Sequence, residues 1–169
     1  MHGVYLLSVW LHIMAAIIWI GGMIFLVIVL VPAIRRPEFG AVAAALVRCS
    51  GRRFRWVGWI CLGVLIVTGS VNLALRGVGW VEFWRLEFWQ GPFGGILVLK
   101  LFLVAAILAI SALHDFSVGP RASDAWQADP AGAKALQLRR QAVRLGRISL
   151  ILALAVILLG IMLVRGLPF

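Results

Sequence analysis

Acidic side chains are nearly missing: Asp and Glu together number 6 in 169 residues, and charged residues of both signs make up only 13%. Soluble domains carry about 25% charged residues, so this chain has too few polar groups to coat itself, which excludes a water-soluble single-core fold. The two cysteines, Cys49 and Cys61, are too few for a disulfide framework and are not spaced as a metal-binding knuckle. There is no phosphate-cradling loop, Ser/His/Asp constellation or pair of carboxylates, so hydrolysis and nucleotide chemistry have no support.

Hydrophobic residues make up 63% of the chain, and its net charge is +10. Apolar dominance at this level excludes disorder. The apolar residues gather in runs at about 5–31, 56–75, 95–114 and 148–164, and crossing the hydrocarbon takes about 20 of them in helical form. Helices are the default there, because unpaired backbone groups find no partner in lipid. The fourth helix is expected to begin before the membrane. The predicted fold is therefore an all-α integral membrane four-helix bundle, a single domain over 1–169 with helices at about 5–31, 56–75, 95–114 and 135–165. The first run has neither a basic flank before it nor a small-residue cleavage pattern, so it reads as a retained helix rather than a signal peptide. Pro32 is expected to end it, with Pro37 close behind.

The cations set the expected orientation. Arg35, Arg36, Arg48, Arg52, Arg53 and Arg55 fall in the first link, and Arg121, Lys134, Arg139, Arg140, Arg144 and Arg147 in the third, together 12 of the 16 Lys and Arg residues. Arg76, Arg85 and Arg165 fall on the other side, and Lys100 inside the third helix. Basic links face the cytoplasm, which places both termini on the non-cytoplasmic side. The positive charge thus reports topology and implies no nucleic-acid partner; Arg140, Arg144 and Arg147 are expected against anionic headgroups. The second link, 77–94, carries Trp80, Phe83, Trp84, Phe88 and Trp89, as either an interfacial aromatic belt or a lid over a substrate. Asp124, Gln127, Asp129 and Pro130 read as a loop in the third.

Ionisable groups inside spanning helices are costly and mark function by default. Here they are His12, Lys100 and, at the cytoplasmic end of the third helix, His114 with Asp115; Asn72 adds an uncharged polar group. At about 1.5 Å per residue, His12 lies roughly 10 Å below the outer end of its helix, Lys100 about 8 Å and Asn72 about 6 Å, so one outer layer can contain all three. His114 lies about 21 Å further along the helix of Lys100 and cannot share a metal with His12. His12, Trp19 and Met23 share one face of the first helix, beside the small Ala15 and Ala16; Cys61, Thr68 and Asn72 share a face of the second. Each group also has a structural reading. His12 can be satisfied by a backbone carbonyl or Asn72, Lys100 can snorkel to the headgroups, His114 and Asp115 can anchor a helix end, and the cysteines can simply pack.

For copper(I), which favours sulfur ligands, the outer-side donors are Met1, His2, His12 and Met162, without a cluster. Heme needs an apolar slot, an axial donor such as His, and cations for its propionates. His12 supplies the axial donor, a neutral Lys100 a second nitrogen, and Arg76, Arg85 and Arg165 the cations.

The runs LHIMAAIIWIGGMIF at 11–25, TGSVNL at 68–73 and FGGILVLKLFLV at 93–104 resemble the copper resistance protein D (CopD) family. LHDFSVGPR at 113–121 resembles its small stand-alone members. That resemblance implies a multi-pass protein of the bacterial inner (plasma) membrane that handles or transports copper. The histidine in helix one and the lysine in helix three also resemble the membrane-bound bacterial protoporphyrinogen oxidase, which implies b-type heme contact at His12 and Lys100. The aromatic second link departs from that enzyme, so heme binding is carried over and the oxidase reaction is not. Two readings therefore stand: copper handling with His12 as metal ligand, or a heme b redox protein, and so a heme-dependent oxidoreductase, with His12 axial and Lys100 a second ligand or propionate partner. Asn72 joins the same cofactor layer, and His114 with Asp115 forms a second candidate site on the cytoplasmic side. The expected partners are membrane lipid and the metal or heme. A second copy of the chain, or a redox or metallochaperone protein, is a further candidate.

Overall fold

In the computed structural model, which describes residues 2–34, 36–129 and 131–165, each apolar run lies within a long helix. The side chains of Ala41, Trp80 and Phe83 are outside the described set, as are Met1, Arg35 and Pro130 altogether. The long helices are α1 (His2–Ala33), α2 (Gly40–Leu75), α5 (Pro92–Ala128) and α6 (Ala133–Arg165). Two short ones, α3 (Trp80–Phe83) and α4 (Leu86–Gln90), fill the second link. The fold is all-helical, with four helices long and apolar enough to cross a membrane.

α1 packs along α2 and α5 along α6; α1 also touches α6, and the far end of α5 touches α2. Small residues seat large ones between α1 and α2: a Cβ on Gly22 would overlap the Phe54 ring, and one on Gly58 would come 3.5 Å from the Trp19 indole. Such close approach replaces the hydrophobic drive that lipid does not supply. The core of Ala15, Trp19, Ile20, Cys61, Leu62, Ile107 and Ala153 is thin. In the most apolar stretch of each long helix only 11–22% of residues are buried, so most of the apolar surface, including Trp10, Ile17, Phe102 and Ile151, points outward as a lipid-facing coat.

The helices overshoot the apolar runs. α2 begins at Gly40, so Arg48, Arg52, Arg53 and Arg55, expected in a link, lie on a continuous helix. Alanine and arginine are both good helix formers, which carries the helix on where hydropathy falls. The same holds for Asp124 and Gln127, expected in a loop: they sit within a helical segment, Gly119–Ala128, that closes only at Asp129. Arg48 donates to the Gln127 side chain at 2.7 Å, and the Arg139 guanidinium lies 5.1 Å over the Trp126 ring, tying these extensions together.

Neither does Pro32 end its helix. The ring of a helical proline clashes with the carbonyl four residues back and offers no N–H to it. Here the turn before it widens: Leu26–Leu30 is π-helical, Val31 N–H reaches the Leu26 carbonyl, and the helix runs through Pro32 to Ala33. Pro120 repeats the solution in α5, where His114–Val118 is π-helical and Gly119 N–H bonds the His114 carbonyl. Both π turns lie at the arginine-rich end of the bundle.

Candidate functional site

Toward the opposite end, His12 reaches across from α1 to α2. Its Nδ1 lies 2.8 Å from Thr68 Oγ1, and Thr68 Oγ1 lies 2.6 Å from the Val64 carbonyl. A carbonyl only accepts, so the single Thr68 hydroxyl proton goes to Val64 and the hydroxyl oxygen accepts from His12 Nδ1–H. That bond puts the ring proton on Nδ1 and the lone pair on Nε2. Ser8 Oγ donates to the Thr68 backbone carbonyl at 3.3 Å, and Ser8 and Thr68 are both buried. Gly69 makes room for the imidazole, since a Cβ there would come 3.3 Å from His12 Cε1.

Lys100, half-buried on α5, lies within electrostatic reach of both His12 and Arg76. Its Nζ sits over Gly160 of α6, 3.6 Å from where a Cβ would be. Arg76 closes this end of the bundle: its guanidinium donates to Tyr5 OH at 3.3 Å and to the carbonyl of Leu163 in the last turns of α6. Asn72 lies one turn beyond Thr68, and its Oδ1 is buried without a hydrogen-bond partner. The layer therefore brings together the lone pair of His12 Nε2, the unpartnered Asn72 Oδ1 and one amine.

His12 pairs with the Thr68 hydroxyl and also with the backbone carbonyl of Leu65, the kind of partner the sequence offered beside Asn72. Thr68 was legible as a member of the polar face of helix two, but its pairing was not. Lys100 faces the bundle through Gly160. Of the cations expected at heme propionates, Arg76 is committed to Tyr5 and Leu163. Cys61 is buried seven residues before Thr68, about 10 Å along the helix, and Cys49 is exposed in the arginine-rich extension. Among the described residues no three His, Cys, Asp or Glu side chains converge as a metal cage.

His114 and Asp115 stand apart, at the arginine-rich end. His114 Nδ1 lies 2.8 Å from Asp115 Oδ1, while Trp59 Nε1 donates to Asp115 Oδ2 at 3.0 Å. Phe116 stacks against Trp59 with ring centroids 5.5 Å apart and lies under the Arg55 guanidinium at 5.9 Å.

Residues 49–163 match the family described as Copper resistance protein D. The chain belongs to that family. The match takes in Thr68, Asn72, Lys100, His114 and Asp115, while His12 lies before it. An uncharacterized protein of Aquifex aeolicus (strain VF5) is 32% identical over 160 residues, which is 92% of each chain. No solved structure matches. Membership in the copper resistance protein D family, together with four candidate spans, makes this a multi-pass membrane protein with a role related to copper resistance, and it lends heme no support.

Proposed function

We propose that this protein handles copper as cargo in the bacterial inner membrane, binding the ion at the layer of His12, Asn72 and Lys100. Both termini and that layer lie toward the non-cytoplasmic side. The reading is carried by the hydrogen bond of His12 Nδ1 to Thr68, which leaves Nε2 as a pre-oriented donor in a half-buried layer. Asn72 Oδ1 is a second, unused acceptor beside it. An amine binds a metal only when neutral, so Lys100 is a further ligand in that form and opposes a cation when protonated. With few strong ligands the ion is held weakly enough to leave, as passage requires. The arginines in the N-terminal parts of α2 and α6 face the cytoplasm.

A second reading is favoured by the donor set. His12 and Lys100 both offer nitrogen, and the nearest described thiol, Cys61, lies in a deeper layer; nitrogen donors suit heme iron better than copper(I). His12 would then hold the iron of a b-type heme, and Lys100 would hold the iron as well or a propionate. Bound heme would supply one-electron chemistry. Metal analysis and a visible spectrum of the purified chain separate the two. Copper without a Soret band, lost in His12→Ala, is the expected result. A Soret band lost in His12→Ala establishes the heme reading instead, and a preparation that binds neither refutes both.

A further inference from the structure

The arginine-rich end carries a second imidazole prepared in the same way as His12. Asp115 is pinned from two sides: the Trp59 indole, which can only donate, holds Oδ2, and His114 Nδ1 holds Oδ1. A carboxylate acceptor at Nδ1 keeps the proton there and turns the lone pair of Nε2 outward, the arrangement in which a histidine backed by a carboxylate presents itself to a metal. The His114 side chain is 36% exposed and that of Asp115 21%, so the ligand is reachable while its support is shielded.

The pair sits at the start of a widened turn. Pro120 forces the π turn that begins at His114, and π turns recur at functional sites. Gly119 closes it here, and a Cβ at that position would come 2.8 Å from the His114 carbonyl oxygen, so the turn would have to shift. Phe116, the next residue, stacks on the same Trp59 that holds Asp115. A chain of contacts thus runs from Phe116 through Trp59 and Asp115 to Nδ1 of the imidazole.

We propose that His114 Nε2 is a second binding site for a soft monovalent metal ion, at the opposite membrane face from His12, with Asp115 and Trp59 as positioning residues. This rests on the copper-handling reading and extends it to a transfer between two anchored imidazoles. A single protein donor leaves the ion's other coordination position to the molecule that delivers or takes it, so the site exchanges rather than stores. Silver(I), redox-inert and of the same preference for soft donors, is the probe.

The test uses the full chain in detergent, with 15N-labelled histidine and with Cys49→Ser to remove the exposed thiol. Titration with silver nitrate, chosen with a non-coordinating buffer, is read at each histidine separately. The expected result is a saturable shift of His114 Nε2, weakened about tenfold or more in Asp115→Asn and less in Trp59→Phe. A His114 Nε2 resonance that stays fixed to millimolar silver overturns the proposal, as does an Asp115→Asn chain with unchanged affinity. The His12 resonance reports independently: silence there with a response at His114 refutes the outer site and leaves this one standing. A variant that fails to fold is recognised by loss of the remaining histidine signals, and Trp59→Phe, which keeps an aromatic ring against Phe116, then supplies the comparison.

Discussion

Thr68→Val removes one hydroxyl, keeps the branched shape, and tests the reasoning at its narrowest point. In the native chain that hydroxyl accepts the His12 Nδ1 proton at 2.8 Å and spends its own on Val64. The Val64 carbonyl keeps its helical backbone partner, so the substitution removes only the hydroxyl acceptor of the imidazole N–H. A hydrogen bond of this kind contributes about 1 kcal/mol net, and a buried donor left unpaired costs about 1–3 kcal/mol. The expected stability loss is therefore about 1–2 kcal/mol, small enough for the bundle to persist. The larger effect falls on the ligand: an imidazole without its second partner turns and exchanges tautomers, which lowers metal affinity about 10- to 100-fold. Nitrogen chemical shifts of His12 give the tautomer directly, and copper or silver titration gives the affinity. Thr68→Ser, which retains the hydroxyl, should behave nearly as the native chain. A native His12 carrying its proton on Nε2, or a Thr68→Val chain with native affinity, refutes the assignment.

Gly119→Ala should destabilise the chain by about 1–3 kcal/mol, since its Cβ would meet backbone rather than a side chain that can swing aside; thermal unfolding in detergent measures it, and a native midpoint would mean the π turn relaxes freely. Cys49 is exposed beside Arg48, Arg52 and Arg53, so a membrane-impermeant maleimide should label it in inverted vesicles and not in intact spheroplasts. Labelling of the spheroplasts would reverse the proposed orientation.

The four spans were legible because lipid demands long apolar runs, and nothing else in the chain competes with them. The helical extensions were not. Hydropathy marks where the membrane ends, whereas the helix continues through the Ala- and Arg-rich stretch of α2 on propensity alone. Pro32 was read as a terminator by its usual rule, and the π turn that accommodates it depends on backbone widening that leaves no trace in hydrophobic pattern. The second link, read as an interfacial aromatic belt or a lid, folds as two short helices, α3 and α4. Within the site, His12, Lys100 and Asn72 were visible as polar exceptions in greasy helices. The Thr68 pairing was not, because a single sequence gives the azimuth of residues within each helix but not the rotation of one helix against its neighbour. Gly69 and Gly160 were missed for the same reason: the residues that make room for His12 and Lys100 announce themselves only when the helices are docked.

The two π turns also divide the bundle mechanically. α5 spans 37 residues, about 55 Å of rod against roughly 30 Å of hydrocarbon, so part of it projects as a handle. Bending of a helix concentrates at a π turn, and α1 and α5 each carry one near the arginine-rich end, whereas α2 and α6 are unbroken. A push on the projecting part of α5 is therefore taken up by a compliant joint at His114–Val118 before it reaches Lys100, while a push on α2 travels as through a stiff strut to Thr68.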